Sequence, residues 1–194
     1  MPHVPLLILA SASPRRRELL AEAGYTFEVD EPGVVEPDAD DTLGPAEHVA
    51  LAAWRKAAAV ASRRSRGLIL AADTVCAVDG TILGKPADRD DAERMIRLQE
   101  GRDSLVITGI CLQRAGESEW LGAVETSVCR FRHLTDAERK THLDSGRWLG
   151  KAGAYGIQDD DPFASVASGS RSNVVGLPME RLAALLRDYP GLTR

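Results

Sequence analysis

Residues 6–20, LLILASASPRRRELL, decide what kind of fold this chain adopts. The unbroken apolar run 6–10 predicts a short buried strand, since none of its side chains prefers water. Ser13 followed by Pro14 predicts an N-cap and a first helical position. A helix over 14–23 follows, with Gly24 as its left-handed terminating residue. A strand turning tightly into a helix opens an α/β unit. Arg15, Arg16 and Arg17 then fall in the first helical turn, at the positive pole of the helix dipole. Cations there are unfavourable by about a few tenths of a kcal/mol each. An anion would reverse that penalty: backbone N–H groups, the Ser11 and Ser13 hydroxyls and a guanidinium fork together suit a phosphate. The competing reading is a solvated basic patch with Ser13 as a plain cap.

Outward from this stretch, helices and strands alternate. Residues 30–46 are acidic and rich in proline, and read mostly as loop. An Ala-rich helix over 46–65 is closed by Gly67. LILAA (68–72) predicts a second buried strand, and residues 75–78 and 81–83 flank Asp79-Gly80 as a hairpin. A helix over about 88–100 ends at Gly101. The runs 104–114 and 120–131 alternate as paired strands. Thr135 with Glu138 forms a capping box for a helix over 136–145. A Gly-rich acidic stretch with at most short strands follows, and Pro178 opens a last helix to Asp188 with Leu182, Leu185 and Leu186 facing inward. The expectation is one α/β domain over 1–194, with a mixed sheet flanked by helices.

Composition narrows the function. The 194 residues, 44% hydrophobic and 27% charged, are enough to bury roughly 70% of the unfolded surface, which excludes wholesale disorder. No apolar run approaches the ~18 residues that span a membrane, and the first residues carry no signal-peptide pattern. The net charge of -5 argues against a duplex nucleic-acid binder, so an anionic partner must meet a local basic cluster. Cys76, Cys111 and Cys129 sit in apolar runs without a CxxC pair and read as reduced, buried residues of a cytoplasmic protein. The four histidines lack metal-site spacing.

Three further segments carry chemistry. Asp73-Thr74 follows LILAA, where a carboxylate at the end of a buried strand can act as a general base, ligate a hard cation, or merely cap a turn. Gly84-Lys85-Pro86 presents an ammonium in a stiff turn, and Lys56 lies mid-helix in an Ala-rich stretch. In GAYGIQDDD (153–161) the glycines allow close backbone approach, and the Gln158 amide suits the edge of a nucleobase.

Taken in order, SASPRRREL, AADTV, ILGKP, VETSVCRFRHLTDAE, KAGAYGIQ and NVVGLPMERL make this chain resemble the Maf family of nucleoside triphosphate pyrophosphatases. The resemblance implies a mixed α/β fold related to the inosine-triphosphate pyrophosphatases, with two lobes around a cleft, in a homodimer. It implies hydrolysis of a nucleoside triphosphate to the monophosphate and pyrophosphate with a divalent cation, Mg²⁺ or Mn²⁺. Asp73 would be the general base. Arg15, Thr74 and Gln158 would govern substrate choice, and Arg16, Lys56 and Lys85 would hold phosphates. Ser11 and Glu36 would line the site, with Asp73 and Glu36 as metal ligands. The GIQ and NVVGLP forms are similar to the dTTP/UTP-preferring branch. The alternatives are a 7-methyl-GTP pyrophosphatase and a nucleotide-binding regulator of septum formation without turnover. Three positions depart from the family pattern: Ser104 stands in place of His, Gly150 in place of Asp, and Asp159 in place of Gly.

Overall fold

A computed structural model describes residues 6–34, 43–157 and 163–189. The opening stretch folds as its residues dictate. β1 (Leu7–Ala10) is buried throughout, α1 (Pro14–Glu22) begins at its proline, and Gly24 turns the chain at φ 78°. The chain returns as β2 (Phe27–Val29), parallel to β1. There follow α2 (Pro45–Ala61), β3 (Leu68–Val78), β4 (Thr81–Leu83), α3 (Arg89–Gln99), β5 (Asp103–Arg114) and β6 (Trp120–Phe131). α4 (Asp136–Asp144), a single 3-10 turn at Ala152–Ala154, β7 (Ala164–Ser168), α5 (Arg171–Val175) and α6 (Met179–Asp188) complete the chain. The sheet runs β2-β1-β3-β5-β6-β7, with β4 paired to β3. β2, β1 and β3 are parallel, whereas β3, β5, β6 and β7 are antiparallel, so the sheet is mixed as expected.

Three expectations need correction, one being that the stretch before Pro178, expected to hold at most short strands, contains the helix α5, capped by the Ser170 side chain. The runs 68–72 and 75–78 are one eleven-residue strand, not a strand, a functional loop and a hairpin arm. β5 pairs with it without interruption from Leu68↔Arg114 to Ala77↔Leu105, which holds Asp73 and Thr74 extended. The Ala-rich helix ends at Ala61 and is not closed by Gly67. The run SRRSR after it has no apolar face to bury. Arg63 and Arg64 instead turn back to form ion pairs with Asp30. Gly67 serves the entry to β3: at φ 109°, a Cβ there would lie 2.7 Å from the Ile8 side chain.

The two faces of β3 organise the cores. On one face, Leu68, Leu70 and Ala72 join α1 and α6 through Leu20, Leu182 and Leu185. Further along that face, Cys76 and Val78 join a second core built on Met95, Ile96, Leu143, Trp148 and Phe163. Thr74 lies between the two. On the other face, Ile69 and Ala71 pack on α2, Val75 and Ala77 pack near Val49, and Asp73 lies between them. One strand thus passes through both cores, with its polar pair at the waist.

α2 lies unusually close to the sheet. A Cβ on Gly109, the β5 residue opposite Asp73, would collide with the Val49 carbonyl, whose carbon lies 2.6 Å away. Because the obstacle is backbone, it cannot be relieved by a rotamer change. Gly109→Ala is expected to destabilise the fold by about 1–3 kcal/mol, as overpacking does, measured by urea denaturation. The capping box at α4 makes a second, pH-dependent prediction. The Arg132 guanidinium, together with the Thr135 backbone and hydroxyl, holds the Glu138 carboxyl down at about 2, below its ordinary 4.5. A carboxylate depressed on folding stabilises above its unfolded value and loses that contribution as pH falls through the folded one. Glu138→Gln is therefore expected to flatten the loss of stability between pH 4.5 and about 2 in acid-denaturation curves.

Candidate active site

β3 has one edge fully paired by β5. Its other edge is shared: β1 pairs as far as Ala10↔Ala71, and β4 begins at Cys76↔Leu83. Neither covers Ala72–Val75, and the cleft between the two cores opens there. A cavity of about 850 Å³ fills this cleft. Ser11, Arg15, Arg16, Lys56, Asp73, Thr74 and Lys85 all line it, so seven sequence-selected residues from four separate segments meet in one place. Glu36 and Gln158 lie outside the described residues, as does Asp159. The chain leading toward them, Gly33–Val34 and Gly156–Ile157, lines the same cavity.

The turn after β1 supplies one end of the site. Ser13 occupies the N-cap position, but its hydroxyl does not cap the helix. Its N–H instead donates to Ser11 Oγ at 3.2 Å. The first turn of α1 therefore faces the cavity without a side-chain acceptor of its own at the cap, the arrangement that suits an external anion. Arg15 reaches across the cleft, with Nη2 donating to the Gly150 carbonyl at 3.5 Å.

Arg16 is more deeply engaged. Nε donates to the Gly176 carbonyl at 2.8 Å, Nη1 to Ser11 Oγ at 3.1 Å and Nη2 to Thr74 Oγ1 at 3.0 Å. Thr74 Oγ1 lies 3.0 Å from Thr108 Oγ1, its partner across the β3–β5 register, and Thr108 donates to the Asn173 carbonyl at 3.3 Å. One guanidinium thus joins the β1–α1 turn, the waist of β3 and the end of α5.

On the opposite face of β3, Lys56 Nζ donates to Asp73 Oδ1 at 2.5 Å. Both residues are buried, at 6% and 7% exposure, and this depth decides the energetics. Taking two charges out of water is costly, so each depends on the other. The α2 spacing that brings Lys56 here also brings His48, eight residues earlier on the same helical face and also lining the cavity. That i, i+8 relation was available in the sequence. Lys151 also lines the cavity, while Thr108 and Asn173 brace Thr74; long-range pairing brings Thr108 and Asn173 to this point, and no local pattern announces it.

Among the described residues the cavity holds five cationic side chains, Arg15, Arg16, Lys56, Lys85 and Lys151, against two carboxylates, Glu31 and Asp73. An acidic chain has gathered positive charge at one concave place, which concentrates a small polyanion. Its inner wall is different in character: Cys76, Val106, Cys129, Phe131 and Tyr155 present apolar and aromatic surface. Burial pushes the Cys76 thiol up to about 12 and that of Cys129 to about 11, so both remain uncharged at neutral pH. The cavity therefore combines cationic side chains with neutral, partly aromatic surface.

The chain is 47% identical over 197 residues to the dTTP/UTP pyrophosphatase of Rhodopirellula baltica, covering 97% of this chain and 84% of that protein. It is 41% identical to the dTTP/UTP pyrophosphatase of Pelotomaculum thermopropionicum, covering 94% and 96%. Among solved structures, a HAM1 protein from Coxiella burnetii is aligned over 94% of this chain and 98% of that one, at 13% identity and a TM-score of 0.47, a distant likeness of chain path. Residues 6–189 match the Maf-like protein family, and the chain belongs to that family.

Proposed function

We propose that this protein hydrolyses a nucleoside triphosphate, with dTTP and UTP preferred, to the nucleoside monophosphate and pyrophosphate. The observation that carries the reading is the single cavity that gathers Asp73 with Arg15, Arg16, Lys56 and Lys85. The names of the similar proteins support the substrate. A triphosphate carries about four negative charges, which these cations offset without a covalent intermediate. In this mechanism the phosphates lie toward the α1 N-terminus, Lys85 and the guanidinium of Arg15. Asp73 accepts a proton from water, and the water oxygen attacks the α-phosphorus. The bond from the α-phosphorus to the bridging oxygen breaks, and pyrophosphate leaves. Lys56 keeps the Asp73 carboxylate oriented and contributes charge. Arg16 holds Ser11 and Thr74 in place around the substrate.

The donor set fits a divalent cation of the Mg²⁺ class. The described residues offer no cluster of three or more His, Cys, Asp or Glu side chains. Mg²⁺ does not require one, since it binds one or two carboxylates together with substrate phosphates. Asp73 would hold it, with Glu36 as the second carboxylate of the proposal. When bound, the cation supplies charge neutralisation at the phosphates. A homodimer and a cytoplasmic setting belong to the same proposal. The three free, buried cysteines support the setting, and among the described residues no helix is long and apolar enough to cross a membrane.

The testing experiment measures pyrophosphate release from dTTP, UTP, CTP, GTP and 7-methyl-GTP, with Mg²⁺ or Mn²⁺ and with chelator. Release led by dTTP or UTP and abolished by chelator is expected. Release led by 7-methyl-GTP would reassign the substrate, and stoichiometric binding without release would favour a nucleotide-binding regulator. Asp73→Asn is expected to lower kcat by about 10²–10⁴-fold while nucleotide still binds. It also weakens the buried pair with Lys56, so the melting temperature is measured alongside turnover. If turnover falls only in proportion to the loss of folded protein in thermal melts, Asp73 acts only as a structural partner of Lys56.

A further inference from the structure

Gln99, the last residue of α3, is 1% exposed and lies against the inner end of the cavity. A buried primary amide must place both N–H groups and its oxygen. Here Nε2 donates to the Met95 carbonyl at 3.1 Å and to the Gly153 carbonyl at 2.6 Å. Oε1 accepts from Cys76 Sγ at 3.3 Å. Two carbonyls facing Nε2 fix which way the amide points. The Cys76 thiol keeps its proton over the working range and so remains a donor.

The segment that Gln99 grips is an unusual one. Gly153 sits at φ 67°, and the next residue, Ala154, is at φ 60°, a conformation that non-glycine residues seldom adopt. Such backbone persists only where its surroundings hold it. Three contacts do so. Gln99 holds the Gly153 carbonyl, the buried His142 ring meets the Ala154 carbonyl at 2.9 Å, and the Gly153 N–H donates to the Gly84 carbonyl at 3.0 Å. The last bond ties this segment to the turn that carries Lys85. Space is equally tight, since a Cβ on Gly153 would lie 3.1 Å from both Cys76 Sγ and Gln99 Oε1. Beyond this point Tyr155, Gly156 and Ile157 form part of the cavity wall.

We propose that Gln99 is a positioning residue for nucleobase selection: by holding the Gly153 carbonyl, it sets where the 155–157 wall stands relative to Cys76 and Phe131. This rests on reading the cavity as a nucleoside triphosphate site. The partners of Gln99 itself are Met95, Cys76 and Gly153, none of them a group assigned to the phosphates or to proton transfer, and the Gly153 N–H bond to Gly84 beside Lys85 is a separate one. Releasing it therefore widens the choice of ring without disabling the hydrolytic groups.

The test compares wild type with Gln99→Met, which keeps volume but removes the amide. UTP and CTP are assayed by pyrophosphate release with Mg²⁺, and their binding is measured by calorimetry. Loss of positioning should reduce the UTP-to-CTP ratio of kcat/KM by about tenfold or more, carried by the KM for UTP, with kcat within about threefold. Amides of residues 154–157 should exchange faster with deuterium while those of β3 do not. Gln99→Glu keeps the shape and the acceptor toward Cys76 but sets an oxygen against the Gly153 carbonyl, so it carries the same expectation should Gln99→Met fail to fold. An equal loss for both nucleotides, or an unchanged ratio with unchanged exchange, would overturn the proposal. A wild type that binds nucleotide without releasing pyrophosphate would sink the hydrolase reading instead. The ratio of binding constants would then still decide the role of Gln99.

Discussion

The buried pair between Lys56 and Asp73 ties the catalytic proposal to the architecture. Two charges held at 6% and 7% exposure lie within hydrogen-bond reach of each other, which offsets part of the cost of taking both out of water. To place them so, α2 must lie close on the sheet and β3 must run straight through the waist of the molecule. The first condition is met by the Ala-rich face of α2 and by the absence of a Cβ at Gly109. The second is met by continuous pairing of β3 with β5. The chemistry of the site and the packing of the fold therefore share one set of constraints.

A second organising feature is the uncovered edge of β3. β1 stops at Ala10 and β4 starts pairing only at Cys76, and the gap exposes the strand where Asp73 and Thr74 lie on opposite faces. The strand alternation that separates their side chains gives each its own support. Lys56 meets Asp73 from α2, and Arg16 with Thr108 meets Thr74 from the other side. Arg16 spans Ser11, Thr74 and Gly176, so the α1 N-terminus is held in register with β3 and α5. Five cationic side chains in one cleft are compatible with a chain of net charge -5, because Asp and Glu outnumber Lys and Arg by 29 to 24 over the whole sequence.

Much of this was legible in the residues. The β1–α1 opening, the Asp79-Gly80 hairpin, the paired strands β5 and β6 and the Thr135–Glu138 capping box all rest on interactions within a few residues or on regular alternation. The misreadings have a common physical cause. Asp73 and Thr74 look like a loop because polar residues interrupt an apolar run, yet they remain in the strand because distant side chains satisfy them. The Ala-rich helix looked longer because Arg63 and Arg64 favour helix by intrinsic propensity, whereas the end at Ala61 is set by loss of a packing surface. Gln99 gave no local sign of this role, since two of its three partners, Cys76 and Gly153, come from segments far away in the chain.

The sequence by itself determined the α/β class, the order of elements and the residue types that chemistry would require, because periodicity, capping and charge at a helix end are local properties. Only the tertiary structure decided that seven of those residues share one cavity, that Lys56 pairs with Asp73, that Arg16 braces three segments and that Gln99 holds the Gly153 carbonyl. Those are consequences of strand register and of how closely α2 and α3 pack on the sheet, and they depend on contacts that no short window of sequence contains.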